Sequence, residues 1–133
     1  MKLLGIDVGE ARVGLAISDE LAMTCRPYGF VLRSQAFQKI KETIEQEEIQ
    51  GLVVGIPLLA SGDEGSQVKD VRSFSKSLSE EIELPIDFVN EHLSSNEAEQ
   101  RLRQLGEPRP KKGSIDAMSA CIILESFIER NRI

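Results

Sequence analysis

The sequence has no tryptophan, one tyrosine and one histidine. The lack of Trp and the single Tyr argue against an aromatic platform on which successive unpaired bases stack. The two cysteines, Cys25 and Cys121, are far apart in sequence and belong to no Cys-x-x-Cys pair. With a single histidine, that argues against a zinc site of the Cys/His type. Both cysteines read as reduced, small apolar residues of a cytosolic protein. Long hydrophobic runs are missing too. Asp7 interrupts the N-terminal run before it reaches signal-peptide length, and no stretch approaches the roughly 18–20 apolar residues of a membrane span. Positive charge is the minority sign, with 16 Lys and Arg against 22 Asp and Glu and a formal net charge of -6. Indiscriminate nucleic-acid binding is disfavoured by that balance. A nucleic-acid enzyme is not, because a carboxylate site loaded with divalent cations is less negative and a local basic face can coexist with a negative total.

What is present has the size of one domain, residues 1–133, without internal repeats or a dividing linker. Lys2 to Asp7 and Arg12 to Ser18 read as strands joined by a turn containing Gly9, and Tyr28 to Leu32 as a third. Ser34 is a candidate N-cap for a helix with Phe37, Ile40 and Ile44 on its apolar side. Leu52 to Ile56 is a short continuous apolar run of the kind found in buried central strands. After a loop from Pro57 to Gly65, Val68, Val71, Phe74, Leu78 and Ile82 mark a second helix, and Ile86 to Val89 a further strand. Ser94 and Glu97 fit a capping box before a helix that presents Ala98, Leu102 and Leu105 to the core. Gly106 to Gly113 reads as a mobile loop, and Ser114 as the cap of a strongly apolar last helix running to Phe127. Hairpin-linked strands first and helical crossovers later predict a mixed five-stranded α/β sheet flanked by helices, an order that matches a ribonuclease-H-like fold.

Asp7 is an acid inside an apolar strand, a poor place for a carboxylate unless something compensates it. Gly9 then allows a tight turn with no side chain to block a ligand. Glu91 follows a strand directly, and Asp116 lies in the first turn of the last helix. Three acids from three elements meeting at one end of a sheet suit magnesium or manganese chemistry on a phosphodiester, where two ions about 3.5–4 Å apart activate water and stabilise the leaving oxygen. Each acid also has a plainer reading: Asp7 a turn residue, Asp116 a partner of the helix dipole, Glu91 a solvated loop residue. Asp19 reads as a turn former, Asp63 and Glu64 as solvated, and His92 as pointing to water or structural. Arg12 stands near the Asp7 turn and could hold a phosphate. Arg101, Arg103, Arg109, Lys111 and Lys112 form a basic stretch that reads equally as a solvated face or a nucleic-acid-contacting lip.

Gly5-Ile6-Asp7-Val8-Gly9 with Arg12-Val13-Gly14-Leu15-Ala16 and Ser18-Asp19, then Gly55-Ile56-Pro57-Leu58 with Gly62 and Gly65, then Ile115-Asp116-Ala117 with Ala120 and Ile122-Ile123-Leu124, occur in this order over essentially the whole chain. Together they resemble the YqgF family of small bacterial proteins, described as pre-16S ribosomal RNA nucleases and, in older usage, as Holliday-junction-resolvase-like. The resemblance implies a ribonuclease-H-like fold, with Asp7, Glu91 and Asp116 at the metal-binding catalytic positions and Mg2+ or Mn2+ as cofactor. It implies cytoplasmic maturation of the 5′ end of 16S ribosomal RNA, with the precursor or the assembling small subunit as partner, no membrane, and a monomer or homodimer. The family usually carries Asp-Glu-Arg where this chain has Asn90-Glu91-His92. The metal position is kept, while a phosphate held by the usual Arg would be held less well here, or only at lower pH. Two other readings stand beside this one: a resolvase of four-way DNA junctions, working as a dimer, and a non-catalytic ribosome-assembly or transcription-associated binding module. Sugar kinases and chaperone ATPases also use an Asp-x-Gly turn, but they need two such domains, and no Gly-x-x-x-x-Gly-Lys loop is present.

Overall fold

A computed structural model describes residues 1–57, 61, 65–91 and 95–132. Strands Leu3–Val8 (β1), Arg12–Ser18 (β2), Cys25–Leu32 (β3), Gly51–Ile56 (β4) and Ile86–Asn90 (β5) form one sheet in the order β3-β2-β1-β4-β5. β1 and β2 pair antiparallel, as do β2 and β3, whereas β4 and β5 are added in parallel. Among the described residues, four helices cover the sheet: Ala36–Gln46 (α1), Ser66–Ser79 (α2), Ser95–Gln104 (α3) and Lys112–Arg130 (α4). The mixed sheet flanked by helices is the ribonuclease-H-like arrangement that the element order predicts.

Strand side chains alternate between faces. Leu4, Ile6, Leu15, Ile17, Leu52 and Val54 pack with Ala36 and Ile40 of α1 and Val71, Phe74 and Leu78 of α2. Leu3, Ala16, Val53 and Val89 pack on the opposite face with Met118, Cys121 and Leu124 of α4 and Ala98 and Leu102 of α3. Counting by twos from this second set along each strand reaches Asp7 from Leu3, Arg12 from Ala16 and Glu91 from Val89. Asp7, Arg12 and Glu91, at or just beyond the ends of β1, β2 and β5, therefore belong to the α4 face.

Close approach of α4 depends on Gly14. A Cβ there would lie 2.0 Å from the Asp116 carbonyl oxygen, a backbone atom that cannot step aside. Gly14 is paired with Asp7 in the β1–β2 register, so the same glycine brings the first turns of α4 over the acid of β1. At the hairpin, the Gly9 amide donates to the Arg12 carbonyl at 2.9 Å, and a Cβ on Gly9 would sit 2.6 Å from that oxygen. The tight, side-chain-free turn expected there is present.

Several boundaries differ from the sequence expectation. β3 begins at Cys25 rather than Tyr28. Pro27 hides the extra residues from pattern reading, but β3 is an edge strand, where proline is tolerated. A short 3-10 turn, Arg33–Gln35, precedes α1, whose N-cap is Gln35 without a side-chain cap, so Ser34 does not cap it. α4 starts at Lys112 with Lys111 at its N-cap, so Ser114 is inside the helix. The expected loop ends earlier than Gly113, which is buried, and its Cα is so close to the Phe30 ring that a Cβ would clash with it. α2 stops at Ser79, short of Ile82, which still packs against the α1–α2 core. Leu105 lies beyond α3 and is 69% exposed, not in the core. Leu58, Gly62, Asp63, Glu64, His92 and Ser94 fall outside the described residues.

Candidate active site

The C-terminal ends of β1, β4 and β5 and the start of α4 enclose a cleft of about 120 Å³ lined by Asp7, Glu91, Asp116, Ser119, Gly55 and Pro57, among others. All three acids singled out in the sequence meet there. The reason is parity on β1 and β5, which puts Asp7 and Glu91 on the α4 face, plus the near contact of α4 at Gly14. Gly55 and Pro57 supply floor and rim without charge.

The three carboxylates differ in their partners. Asp116 Oδ2 accepts a hydrogen bond from Arg12 Nε at 2.6 Å, an ion pair between two partly exposed groups. Glu91 Oε2 accepts from Ser126 Oγ at 2.6 Å, and the Glu91 amide donates to the Ile56 carbonyl at 2.9 Å, which fixes the end of β5 against β4. Asp7 receives no donor and no cation among the described residues. Burial, and secondly the neighbouring Asp116 carboxylate, push its pKa up from 3.8 to about 6. A half-desolvated carboxylate with a second acid beside it and no cation to balance it is a donor set suited to a hard divalent ion. The chain's own residues therefore fit the metal that the resemblance implies. The three acids line one cleft without all their oxygens converging within 4.8 Å, a spacing met among the described residues by Cys25, Cys121 and Glu125.

A larger groove of about 620 Å³ opens next to the cleft and shares Asp7, Val8 and Pro57 with it. Arg33 spans this groove. Its Nη1 donates to the Gly9 carbonyl at 3.0 Å and to Asp70 at 2.7 Å, while Nη2 reaches the other Asp70 oxygen at 2.8 Å. One guanidinium thus ties the β1–β2 turn to α2.

The basic residues divide into two groups. Arg101 is bound to Glu125 at 2.5 Å and lies near Glu97, and Arg103 pairs with Glu99, one turn away on α3. Arg101 lines a different pocket, with Cys25 and Glu125. Arg109, Lys111 and Lys112 make no ion pair among the described residues, and Lys112 stands one helical turn before Asp116. Asp19 acts as the expected turn former: its Oδ1 accepts from the amides of Met23 at 2.7 Å and Thr24 at 3.0 Å, which lower its pKa.

Sequence reasoning missed Ser119, Ser126 and Arg33. The first two had a signal. Asp116, Ser119, Ile123 and Ser126 are spaced by three, four and three, one face of a helix, so the serines interrupt an apolar helix on the stripe that begins with Asp116. Arg33 had none, because its partners Gly9 and Asp70 are 24 and 37 residues away.

A family model described as "RuvX: Holliday junction resolvase" matches residues 1–130. A protein of Synechococcus sp. (strain JA-2-3B'a(2-13)), named "Putative pre-16S rRNA nuclease", is 40% identical over 136 residues, covering 99% of this chain and 80% of the relative. A protein of Maridesulfovibrio salexigens with the same name is 40% identical over 134 residues, with 98% and 99% covered. Among solved structures, Thermus thermophilus RuvC in complex with a Holliday junction substrate superposes with a TM-score of 0.60 at 16% identity, over 98% of this chain and 95% of that one. The fowlpox virus resolvase bound to Holliday junction DNA gives 0.62 at 10% identity, over 98% of both chains. At these identities the structural likeness is one of fold.

Proposed function

The chain belongs to the RuvX family, and from that premise we propose that it is a divalent-metal-dependent nuclease that shortens the 5′ end of 16S ribosomal RNA precursors. The observation that carries this reading is the cleft in which Asp7, Glu91 and Asp116 meet from three separate elements. The name shared by relatives that match nearly end to end supports the substrate.

Asp7, Glu91 and Asp116 would hold the ion or ions. Bound there, divalent cations supply activation of a water and stabilisation of the leaving oxygen in phosphodiester hydrolysis. Each side chain has its own part. Asp7 gives an uncommitted carboxylate at the cleft floor. Ser126 holds Glu91 in one orientation. Arg12 balances Asp116 and would meet a phosphate that approaches that carboxylate. In this reading the nucleic acid would pass Asp7 along the groove lined by Gly9, Glu10, Ser66 and Asp70, and Arg109, Lys111 and Lys112, at or before the first turn of the helix that carries Asp116, would add positive charge for its backbone. Such a protein works in the cytoplasm, beside the assembling small subunit.

The family description and the junction-bound neighbours favour a second substrate, the four-way DNA junction. Offering both substrates with manganese or magnesium separates the two. Metal-dependent shortening of a 5′-extended 16S precursor, free or in assembling subunits, with the junction left intact, is expected. Paired symmetric cuts in the junction with the precursor untouched would overturn the ribosomal reading. Failure on both substrates by folded protein would favour the binding-module reading.

A further inference from the structure

The two cysteines are 96 residues apart in sequence, yet their sulfurs lie 3.5 Å apart. Cys25 opens β3, and Cys121 is in the middle of α4, buried against the sheet. Glu125, one turn further along α4, brings a carboxylate oxygen within 4.8 Å of both sulfurs. We propose that Cys25, Cys121 and Glu125 form a second metal site, for a thiophilic divalent cation such as zinc, separate from the carboxylate cleft.

Two sulfurs bound to one tetrahedral zinc at about 2.3 Å each stand about 3.8 Å apart, so the observed spacing needs little adjustment. The third donor is a carboxylate, not a histidine, which is why a search for Cys/His spacing passes over it. A pocket of about 580 Å³, lined by Cys25, Glu125, Arg101 and Thr24 among others, opens onto the group and leaves room for a water as the fourth ligand. Arg101 donates to Glu125 Oε1 at 2.5 Å. That arrangement suits a guanidinium outside the ligand shell, steadying the carboxylate that would bind the ion. Charge closes as well: two thiolates and one carboxylate carry three negative charges, against two on the cation and one on Arg101. Loading releases the two thiol protons to solvent and involves no oxidant. The bound ion would clip edge strand β3 to α4, the helix that carries Asp116 and Ser126.

Cobalt(II) is the probe. The full chain, kept reduced with a phosphine, is titrated with cobalt and followed by absorption. One equivalent should give a sulfur-to-cobalt charge-transfer band in the near ultraviolet with visible bands of a tetrahedral site, and zinc should bleach both. Cys25→Ser and Cys121→Ala should lose the charge-transfer band, with folding checked by circular dichroism. Glu125→Gln, at an exposed position, should keep the band and shift the titration to higher cobalt. Asp7→Asn should leave the sulfur-to-cobalt band in place, so failure of the nuclease reading and failure of this one are distinguishable. No sulfur-to-cobalt band in folded, reduced protein, a band that survives Cys25→Ser, or a band lost in Asp7→Asn would each overturn the proposal.

Discussion

Asp7 shows at one residue how site chemistry costs stability. Its native pKa, about 6, lies above the unfolded value of 3.8. Between those values the native state holds more protons than the unfolded chain, so stability falls as pH rises through that window and stays lower above it. Asp7→Asn removes the penalty. At pH 7.5 without divalent ions the variant should melt higher than wild type, by up to about 3 kcal/mol at 1.36 kcal/mol per pKa unit. Added magnesium or manganese should raise the melting temperature of wild type and leave the variant unmoved. Calorimetry with and without chelator checks both; a variant that melts lower in chelator would count against Asp7 as an uncompensated charge. Ser126 gives a complementary case. Ser126→Ala removes the hydrogen bond to Glu91 Oε2, worth about 1.5 kcal/mol at this partly exposed position. Cleavage should slow about tenfold, at unchanged substrate affinity, and Ser126→Thr should restore it. Equal loss of rate in the Thr variant would mean that packing of α4, not orientation of Glu91, is at stake.

At the scale of elements, the site exists because α4 lies tightly on the sheet. Gly14→Ala puts a methyl group 2.0 Å from the Asp116 carbonyl oxygen and should cost about 3 kcal/mol or more. Gly29→Ala, in the neighbouring strand with nothing within 4 Å of the added carbon, should change stability by no more than about 0.5 kcal/mol. Urea midpoints of the two variants make the comparison, and similar midpoints would remove Gly14 from the account. Strands β1, β4 and β5 were legible in the sequence as apolar segments, but the face on which Asp7 and Glu91 stand emerges only from the packing of Leu3, Val53 and Val89 against α3 and α4. Element ends were less so. The start of β3 was masked by Pro27 on an edge strand, and Ser114 imitates a cap although the helix has already begun at Lys112. Leu105 has the periodicity of a core residue, but α3 ends at Gln104 and turns it outward.

For the molecule as a whole, sheet order follows from the order of hairpins and crossovers, and the meeting of three acids at one end follows from sheet order. Side-chain pairings across the chain do not. Arg12 with Asp116 and Cys25 with Cys121 are separated by 104 and 96 residues, and no local period records them. Net charge was legible, and it sets a further expectation. A chain at -6 has few cations to give to a polyanion, so those near α4 should dominate affinity. Replacing Lys111 and Lys112 by Gln should weaken precursor binding and reduce the slope of log K against log salt by about 2, one for each phosphate no longer neutralised. Filter binding across a salt series checks it; an unchanged slope would place the nucleic acid elsewhere. The central claim is that Asp7, Glu91 and Asp116 act as one metal centre. Its most direct test is single-turnover cleavage of a 5′-extended 16S precursor by wild type, Asp7→Asn, Glu91→Gln and Asp116→Asn, each shown to be folded, with manganese and with chelator. Each substitution should slow cleavage at least about 100-fold, equal to about 2.7 kcal/mol of barrier, and chelator should abolish the wild-type rate. Wild-type cleavage by any of the three variants, or cleavage indifferent to chelator, would contradict the shared centre.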